Sequence, residues 1–184
     1  MRRSVERIGM GLAVRIVLRL REPFWADDPP KAWRNGRAGH PRDLAFLHVP
    51  GRDFPTWWTA APSETPMLTG WAGGPAASAL ARLPPTKIPD RALGTLSAIF
   101  GMPHERLARL LVGWHVHDWG ADPYSRGAYS FTAVGGASAP EDLSRPVART
   151  LYFAGEATAR GKTGTVPGAI ASGERAARQI LREG

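Results

Sequence analysis

The stretch Arg15-Ile-Val-Leu-Arg-Leu-Arg21 alternates charged and apolar residues with a period of two. Ile16, Leu18 and Leu20 would share one face of a strand, and the three arginines, with Val17, would share the other. The pattern therefore predicts a β-strand that buries one face.

Short apolar runs separated by Gly and Pro predict more strands downstream of the first. They cover residues 44–49, 56–60, 67–71 and 110–119, and in the last of these Val112, Trp114 and Val116 share a face. Helices are predicted over residues 75–83, 90–100 and 167–182. Asp90 is expected to cap the second helix, and Gly101 is expected to end it.

The C-terminal region predicts a short buried strand at Leu151–Ala154, a turn at Gly155-Glu156 and a long amphipathic helix. The apolar face of that helix comprises Ala169, Gly173, Ala176, Ala177 and Ile180. The opposite face carries Glu174, Arg175, Arg178, Gln179 and Arg182. Because Gly173 lies on the apolar face, close packing is expected there.

Composition sets limits on function. The chain has 184 residues, 43% of them hydrophobic, which is typical of a globular domain. It has no cysteine, which excludes disulfides, zinc-thiolate sites, a cysteine nucleophile and a thioether-linked flavin. The net charge is +8, but only three of the 24 basic residues are lysine and no basic run is longer than Arg2-Arg3. This pattern favours a compositional bias over a nucleic-acid surface.

Other motifs carry less information. Five residues separate Gly155 from Gly161 before Lys162-Thr163, whereas a P-loop needs four. His115 and His117 share a strand face and could bind zinc or copper, but a solvated pair is the simpler interpretation, and no metal is expected. No membrane span or export signal is recognisable, so a soluble cytoplasmic protein is expected.

Three segments together carry the functional signal, namely residues 119–130, 151–158 and 164–177. In order and spacing they resemble the C-terminal part of the flavin-containing amine oxidases, the family of polyamine oxidases, monoamine oxidases and lysine-specific histone demethylases. Residues 15–25 and 67–74 also resemble that family.

The resemblance implies an α+β fold in several pieces. Residues 12–137 would be a partial substrate-binding domain with a mixed β-sheet, and residues 138–184 the C-terminal strand and helix of an FAD-binding, Rossmann-like domain. Residues 1–11 would be the tail of a missing FAD-domain segment. The N-terminal nucleotide-binding unit with its Gly-x-Gly-x-x-Gly fingerprint is absent. The chain thus resembles a fragment or split subunit, whose partner would be a separate chain carrying the FAD-binding half.

The resemblance also implies non-covalent FAD, because Ala128 stands where monoamine oxidases have the cysteine that attaches the flavin. Backbone amides at the start of the last helix would face the negative charge of the reduced flavin, and Glu156 would lie near the ribityl-phosphate part. The implied cofactor-binding residues are Gly155, Glu156, Gly164, Thr165, Val166, Ala169 and Trp119.

The implied reaction is oxidation of a small-molecule amine. Hydride passes from the carbon next to nitrogen to flavin N5, the imine hydrolyses, and oxygen yields peroxide. Tyr129 would form an aromatic wall, and Arg15 replaces the lysine that holds a water near N5. Tyr124, Tyr129 and Thr165 would contact the substrate, and Thr165 in place of a second aromatic wall favours the polyamine oxidase side. The alternatives are a non-catalytic binding domain that keeps the substrate-domain fold, and a basic RNA-binding module.

Overall fold

The computed structural model describes residues 2–31 and 44–183. The strands are β1 (Ile8–Met10), β2 (Ala13–Leu20), β3 (Phe46–His48), β4 (Thr56–Thr59), β5 (Met67–Gly73), β6 (Leu111–Asp118) and β7 (Ser130–Thr132). The helices are α1 (Arg2–Val5), α2 (Gly74–Leu80), α3 (Ile88–Phe100), α4 (His104–Leu110), α5 (Ala139–Leu143) and α6 (Val166–Glu183). Within this part of the chain no helix is long and apolar enough to cross a membrane.

The chain divides into two compact units. We call Leu12–Ala121 the sheet unit, and Met1–Gly11 together with Asp122–Gly184 the terminal unit. The sequence predicts the second boundary after residue 137 instead. Residues 122–137 cluster with the terminal unit because β7 pairs with β1 and the Arg7 guanidinium donates to the Gly135 carbonyl.

The sheet unit is built on a five-stranded sheet with the order β3-β4-β5-β2-β6. Every pairing in it is antiparallel, so the prediction of a mixed sheet is wrong. The reason is that β5 and β6 lie on opposite sides of β2 and both run against it. Two strands that run in the same direction are thereby kept apart, and no parallel pair forms.

The central strand β2 has the predicted alternation. Val14, Ile16 and Leu18 are fully buried, whereas Arg15 and Arg19 are exposed. The buried face packs with helix residues in one core; the largest of its other fully buried side chains are Phe54, Trp57, Leu68, Leu80, Leu96, Phe100 and Leu107. The residues of this core all come from the sheet unit.

Most predicted elements are present, with shifted ends. Helix α3 begins at Ile88 rather than Asp90, and the Asp90 carboxylate does not cap it but lies 3.1 Å from His104 Nε2. Gly101 ends α3 as predicted, in the left-handed conformation with φ of 70°. The sequence reading missed α1, α4, α5, β1 and β7, all of them short and without a clear period.

In the terminal unit, the prediction of a buried strand at Leu151–Ala154 is wrong. Leu151 makes an isolated bridge with Val147, and both Leu151 and Phe153 are exposed. A strand needs a neighbour that pairs with its backbone, and among the described residues this segment has no other strand partner.

The predicted faces of α6 are also rotated. Its buried positions are Gly168, Ser172 and Ala176, whereas Ile180 is exposed. A Cβ built on Gly173 would meet no atom within 4 Å, so the expected close packing at Gly173 is wrong. The cause is that small and polar residues, rather than the larger aliphatic ones, face the rest of the terminal unit.

Gly70 in β5 offers a test of the sheet unit. A Cβ at this position would lie 2.8 Å from the Trp57 ring and 3.0 Å from Ile16 Cγ2. We expect Gly70→Ala to lower the free energy of unfolding by about 1–3 kcal/mol, because the core is already filled. Gly113→Ala in β6 is the control, since a Cβ there meets nothing within 4 Å. Urea denaturation followed by tryptophan fluorescence measures both, and equal stabilities would contradict this packing.

Candidate functional site

The carboxylate of Glu156 joins three segments of the terminal unit. Oε1 accepts the Ser130 backbone N–H at 2.8 Å, and Oε2 accepts the Ser130 hydroxyl at 2.8 Å. Oε2 also accepts the backbone N–H of Gly164, just before α6. Glu156 itself begins a short 3₁₀ turn, Glu156–Thr158. One side chain thus ties β7, this turn and the start of α6 together.

These contacts set the charge state of Glu156. Partial burial on its own raises the pKa of the carboxyl, whereas the hydrogen bonds from Gly164 and Ser130 lower it. The net pKa lies below the usual value of 4.5, so the group is ionised at neutral pH. A fixed negative charge therefore sits beside the entry to α6.

We call the hydrogen bonds from Ser130 and Gly164 to the Glu156 carboxylate the Glu156 clamp. Tyr129 lies next to Gly164, whose position this clamp fixes. A Cβ at Gly164 would be 3.7 Å from Tyr129 Cδ2, so the ring lies directly beside the glycine. Gly164 has a φ of 72°, which a residue with a side chain adopts only under strain. The Tyr129 ring is 40% exposed, so part of its surface remains open to a ligand.

Some of the backbone N–H groups at the start of α6 have hydrogen-bond acceptors and others do not. Thr165 Oγ1 accepts the Gly168 N–H at 3.1 Å and donates to the Lys162 carbonyl at 2.7 Å. The Thr165 carbonyl accepts the Ala169 N–H. In the described part of the chain the Thr165 and Val166 N–H groups have no hydrogen-bond partner. Two exposed amides therefore remain at the positive end of the helix.

The other predicted residues of this region support the same turn. Gly155, with φ of 131°, donates its N–H to Ser172 Oγ at 2.8 Å. Ser172 in turn donates to the Ala169 carbonyl at 2.7 Å. The structure thus brings together five predicted residues, Tyr129, Glu156, Gly164, Thr165 and Val166. The other two, Gly155 and Ala169, are linked to each other through the Ser172 hydroxyl.

Sequence reasoning missed Arg175, which it placed on the solvent face of α6. Its guanidinium is half-buried and donates to the carbonyls of Ser144 at 2.6 Å and Phe153 at 2.8 Å, and to Thr158 Oγ1 at 2.9 Å. Burial lowers the pKa of Arg175, yet an arginine stays charged. Helical periodicity alone gives no signal for an arginine that binds loop carbonyls.

Three further predicted residues are Tyr124, Arg15 and Trp119. Tyr124 is 97% exposed, and its backbone N–H donates to Asp122 Oδ1 at 2.9 Å. Arg15 and Trp119 belong to the sheet unit. Arg15 is exposed on β2, and the Trp119 ring stacks edge-on against His117 with centroids 4.2 Å apart. Their roles at the site stay predictions.

The P-loop-like stretch and the histidine pair were the other motifs considered in the sequence. After Gly155 the chain makes a 3₁₀ turn, and the following helix begins at Val166 rather than at Lys162, so the geometry is not that of a P-loop. Among residues 2–31 and 44–183, no three His, Asp or Glu side chains are grouped as metal ligands.

The Glu156 clamp predicts a pH dependence. Because the pKa is lower in the folded chain than in the unfolded one, the stabilisation is complete above pH 4.5 and is lost as pH falls through the folded pKa. We expect Glu156→Gln to remove this acid sensitivity and to destabilise the terminal unit by about 1–3 kcal/mol at neutral pH. Tyrosine NMR signals report on this unit, since Tyr124, Tyr129 and Tyr152 all lie in it. An unchanged pH profile in the variant would contradict the clamp.

Comparison with known proteins identifies the family of this chain. The family model described as flavin containing amine oxidoreductase matches residues 1–181. Lysine-specific histone demethylase 1 homolog 3 of Arabidopsis thaliana is 33% identical over 97% of this chain and 10% of its own length. Lysine-specific histone demethylase 1 homolog 1 of Oryza sativa subsp. japonica is 30% identical over 98% of this chain and 20% of its own. The chain therefore spans a small part of these curated relatives.

Solved structures share the fold. A redesigned putrescine oxidase superposes with a TM-score of 0.77 and 20% identity, over 100% of this chain and 38% of its own. Cyclohexylamine oxidase from Brevibacterium oxydans superposes with a TM-score of 0.70 and 23% identity, over 97% of this chain and 36% of its own. The match over nearly all residues, at the level of sequence and of fold, shows that this chain belongs to the flavin containing amine oxidoreductase family.

Proposed function

We propose that the chain supplies part of the active site of an FAD-dependent amine oxidase. The observation that carries this proposal is the cluster in which Glu156 holds Ser130 and Gly164, with the Tyr129 ring and the open amides of α6 beside them. When bound there, FAD would supply the acceptor for hydride from the carbon next to the amine nitrogen.

The helix start fits the pyrimidine side of a flavin. Thr165 and Val166 offer two exposed N–H groups, and the helix dipole adds partial positive charge where the reduced flavin is negative. Gly164 presents no side chain, so a ring can approach the backbone closely. These residues would hold the cofactor without a covalent bond.

Tyr129 and Arg15 would act on the substrate. The open surface of the Tyr129 ring would contact an amine and exclude water, which favours the neutral form that loses hydride. Arg15 would hold a water through hydrogen bonds that its guanidinium donates. Thr165 and Tyr124 would complete the substrate contacts.

The proposal includes a partner polypeptide that carries the FAD-binding half. The terminal unit buries few large apolar side chains among its described residues, yet it exposes many. They are Val5, Met10, Tyr124, Tyr129, Phe131, Val134, Leu151, Phe153, Val166, Ile170, Ile180 and Leu181. Such an apolar surface is typical of a protein interface. The extended Leu151–Ala154 segment would pair there with a strand of the partner.

Val166 gives a direct test of cofactor binding. Proline is tolerated in the first turn of a helix but has no N–H, so Val166→Pro removes one proposed flavin contact while α6 keeps its start. We expect FAD to bind about tenfold more weakly, in line with the loss of one hydrogen bond.

Val166→Ala is the matched control, because it removes the side chain and keeps the N–H. Flavin fluorescence quenching measures both variants in the presence of the complementing half. The proposal is wrong at this residue if the proline and alanine variants bind FAD equally well.

The partner surface is tested by co-expression with a polypeptide that carries the part of cyclohexylamine oxidase that this chain does not cover. We expect the two polypeptides to co-purify with bound flavin and to release peroxide from an amine. Leu151→Asp should abolish co-purification, because it places a charge in an apolar contact. Val112→Asp, on the edge of the sheet unit, should not.

Stable co-purification without flavin would instead support a non-catalytic binding domain. No co-purification, with flavin bound by this chain alone, would contradict the need for a partner.

A further inference from the structure

The sheet unit has a second face, opposite its core, that is basic and aromatic. In an antiparallel sheet, directly paired residues project to the same side. Arg15 pairs with Trp71 of β5 and with His117 of β6, and Val17 pairs with Thr69 and His115. The members of this basic sheet face are Arg15, Val17, Arg19, Thr69, Trp71, His115 and His117.

The positive charges of this face have no carboxylate partner within residues 2–31 and 44–183. Arg15 and Arg19 are exposed, and neither forms an ion pair with a carboxylate of the described residues. None of the members of the basic sheet face is acidic. Elsewhere in the chain arginines do have such partners, for example Arg91 with Asp53 at 2.9 Å and Arg106 with Asp28 at 2.9 Å.

Apolar surface adjoins the charges. The half-buried Trp71 indole lies over Gly73, with ring atoms 2.4 Å from where a Cβ would be. Half-buried Val17 separates Arg15 from Arg19, which lie about 13 Å apart along the strand. The face therefore offers two guanidinium groups, the exposed His115 imidazole and an apolar wall side by side.

We propose that the basic sheet face recognises an oxyanion on the amine substrate, so that the substrate class is an amine that also bears a carboxylate or phosphate. This rests on the proposed function, which places Arg15 at the reacting end. A guanidinium binds carboxylate and phosphate oxygens through paired N–H donors. Trp71 and Val17 would contact the carbon chain between the two ends of the substrate.

The same face selects against diamines and polyamines. A second ammonium group would meet Arg19, with no carboxylate of the described residues paired to it to offset the repulsion. This reverses the preference for the polyamine oxidase side that the aromatic pattern around Thr165 predicts.

Isothermal titration calorimetry of the full chain tests the proposal with three probes of similar length. They are 5-aminopentanoate, 3-aminopropyl phosphate and cadaverine. We expect both oxyanion-bearing amines to bind about tenfold or more tightly than cadaverine. Equal or tighter binding of cadaverine, or no binding of any probe, would overturn it. A difference between the first two identifies the oxyanion.

The double variant Arg15→Gln with Arg19→Gln should remove this selectivity. Arg82→Gln is the control, since Arg82 is an exposed arginine in the turn after α2. Both arginines on β2 are exposed, and circular dichroism verifies that the variants fold. Retained selectivity in the double variant would place the anion elsewhere.

Two further measurements separate the alternatives. If oligouridylate binds this face with affinity that rises with length and falls steeply with salt, the face is a nucleic-acid surface and the proposal fails. Flavin binding is measured on the same protein in the presence of the complementing half. Selectivity without flavin binding would contradict the proposed function alone, whereas flavin binding without selectivity would contradict this inference alone.

Discussion

The terminal unit depends on one carboxylate. Its described residues bury only four apolar side chains, Ala139, Pro140, Leu143 and Ala176, so packing alone cannot fix its loops. Glu156 replaces packing with three hydrogen bonds to Ser130 and Gly164. Because a charged acceptor strengthens each bond, the clamp holds a glycine-rich region in one geometry. The orientation of Tyr129 and the start of α6 both follow from it.

The sheet unit is stabilised in a different way, by apolar packing. Its fold comes from strand alternation and a continuous apolar core. Strand β2 contributes both to this core and to the solvent-facing surface. Ile16 and Leu18 hold the fold, while Arg15 and Arg19, one position away, face solvent. A period of two lets neighbouring residues serve stability and recognition independently.

The sequence predicted the sheet unit better than the terminal unit, for physical reasons. Alternation in 15–21 and the glycine after α3 are local signals, and the structure has both. The strand at Leu151–Ala154 has the right composition, but pairing is not local, and no strand of the described chain pairs with it. Arg175 escaped notice because its partners are backbone carbonyls, which no sequence pattern reveals. Motif resemblance singled out the residues around Glu156. Their hydrogen bonds join residues that are distant in the chain, so the sequence alone could not predict them.

The proposed function depends on the open amides of Thr165 and Val166, at the start of α6, facing a flavin. Nitrogen-15 NMR of the labelled chain, bound to the complementing half and titrated with FAD, tests it at the amides concerned. The account predicts the largest shifts at the Thr165 and Val166 amides, and small shifts at Gly168, whose N–H is already held by Thr165 Oγ1. Shifts confined to the sheet unit, with Thr165 and Val166 unmoved at saturating FAD, would contradict it.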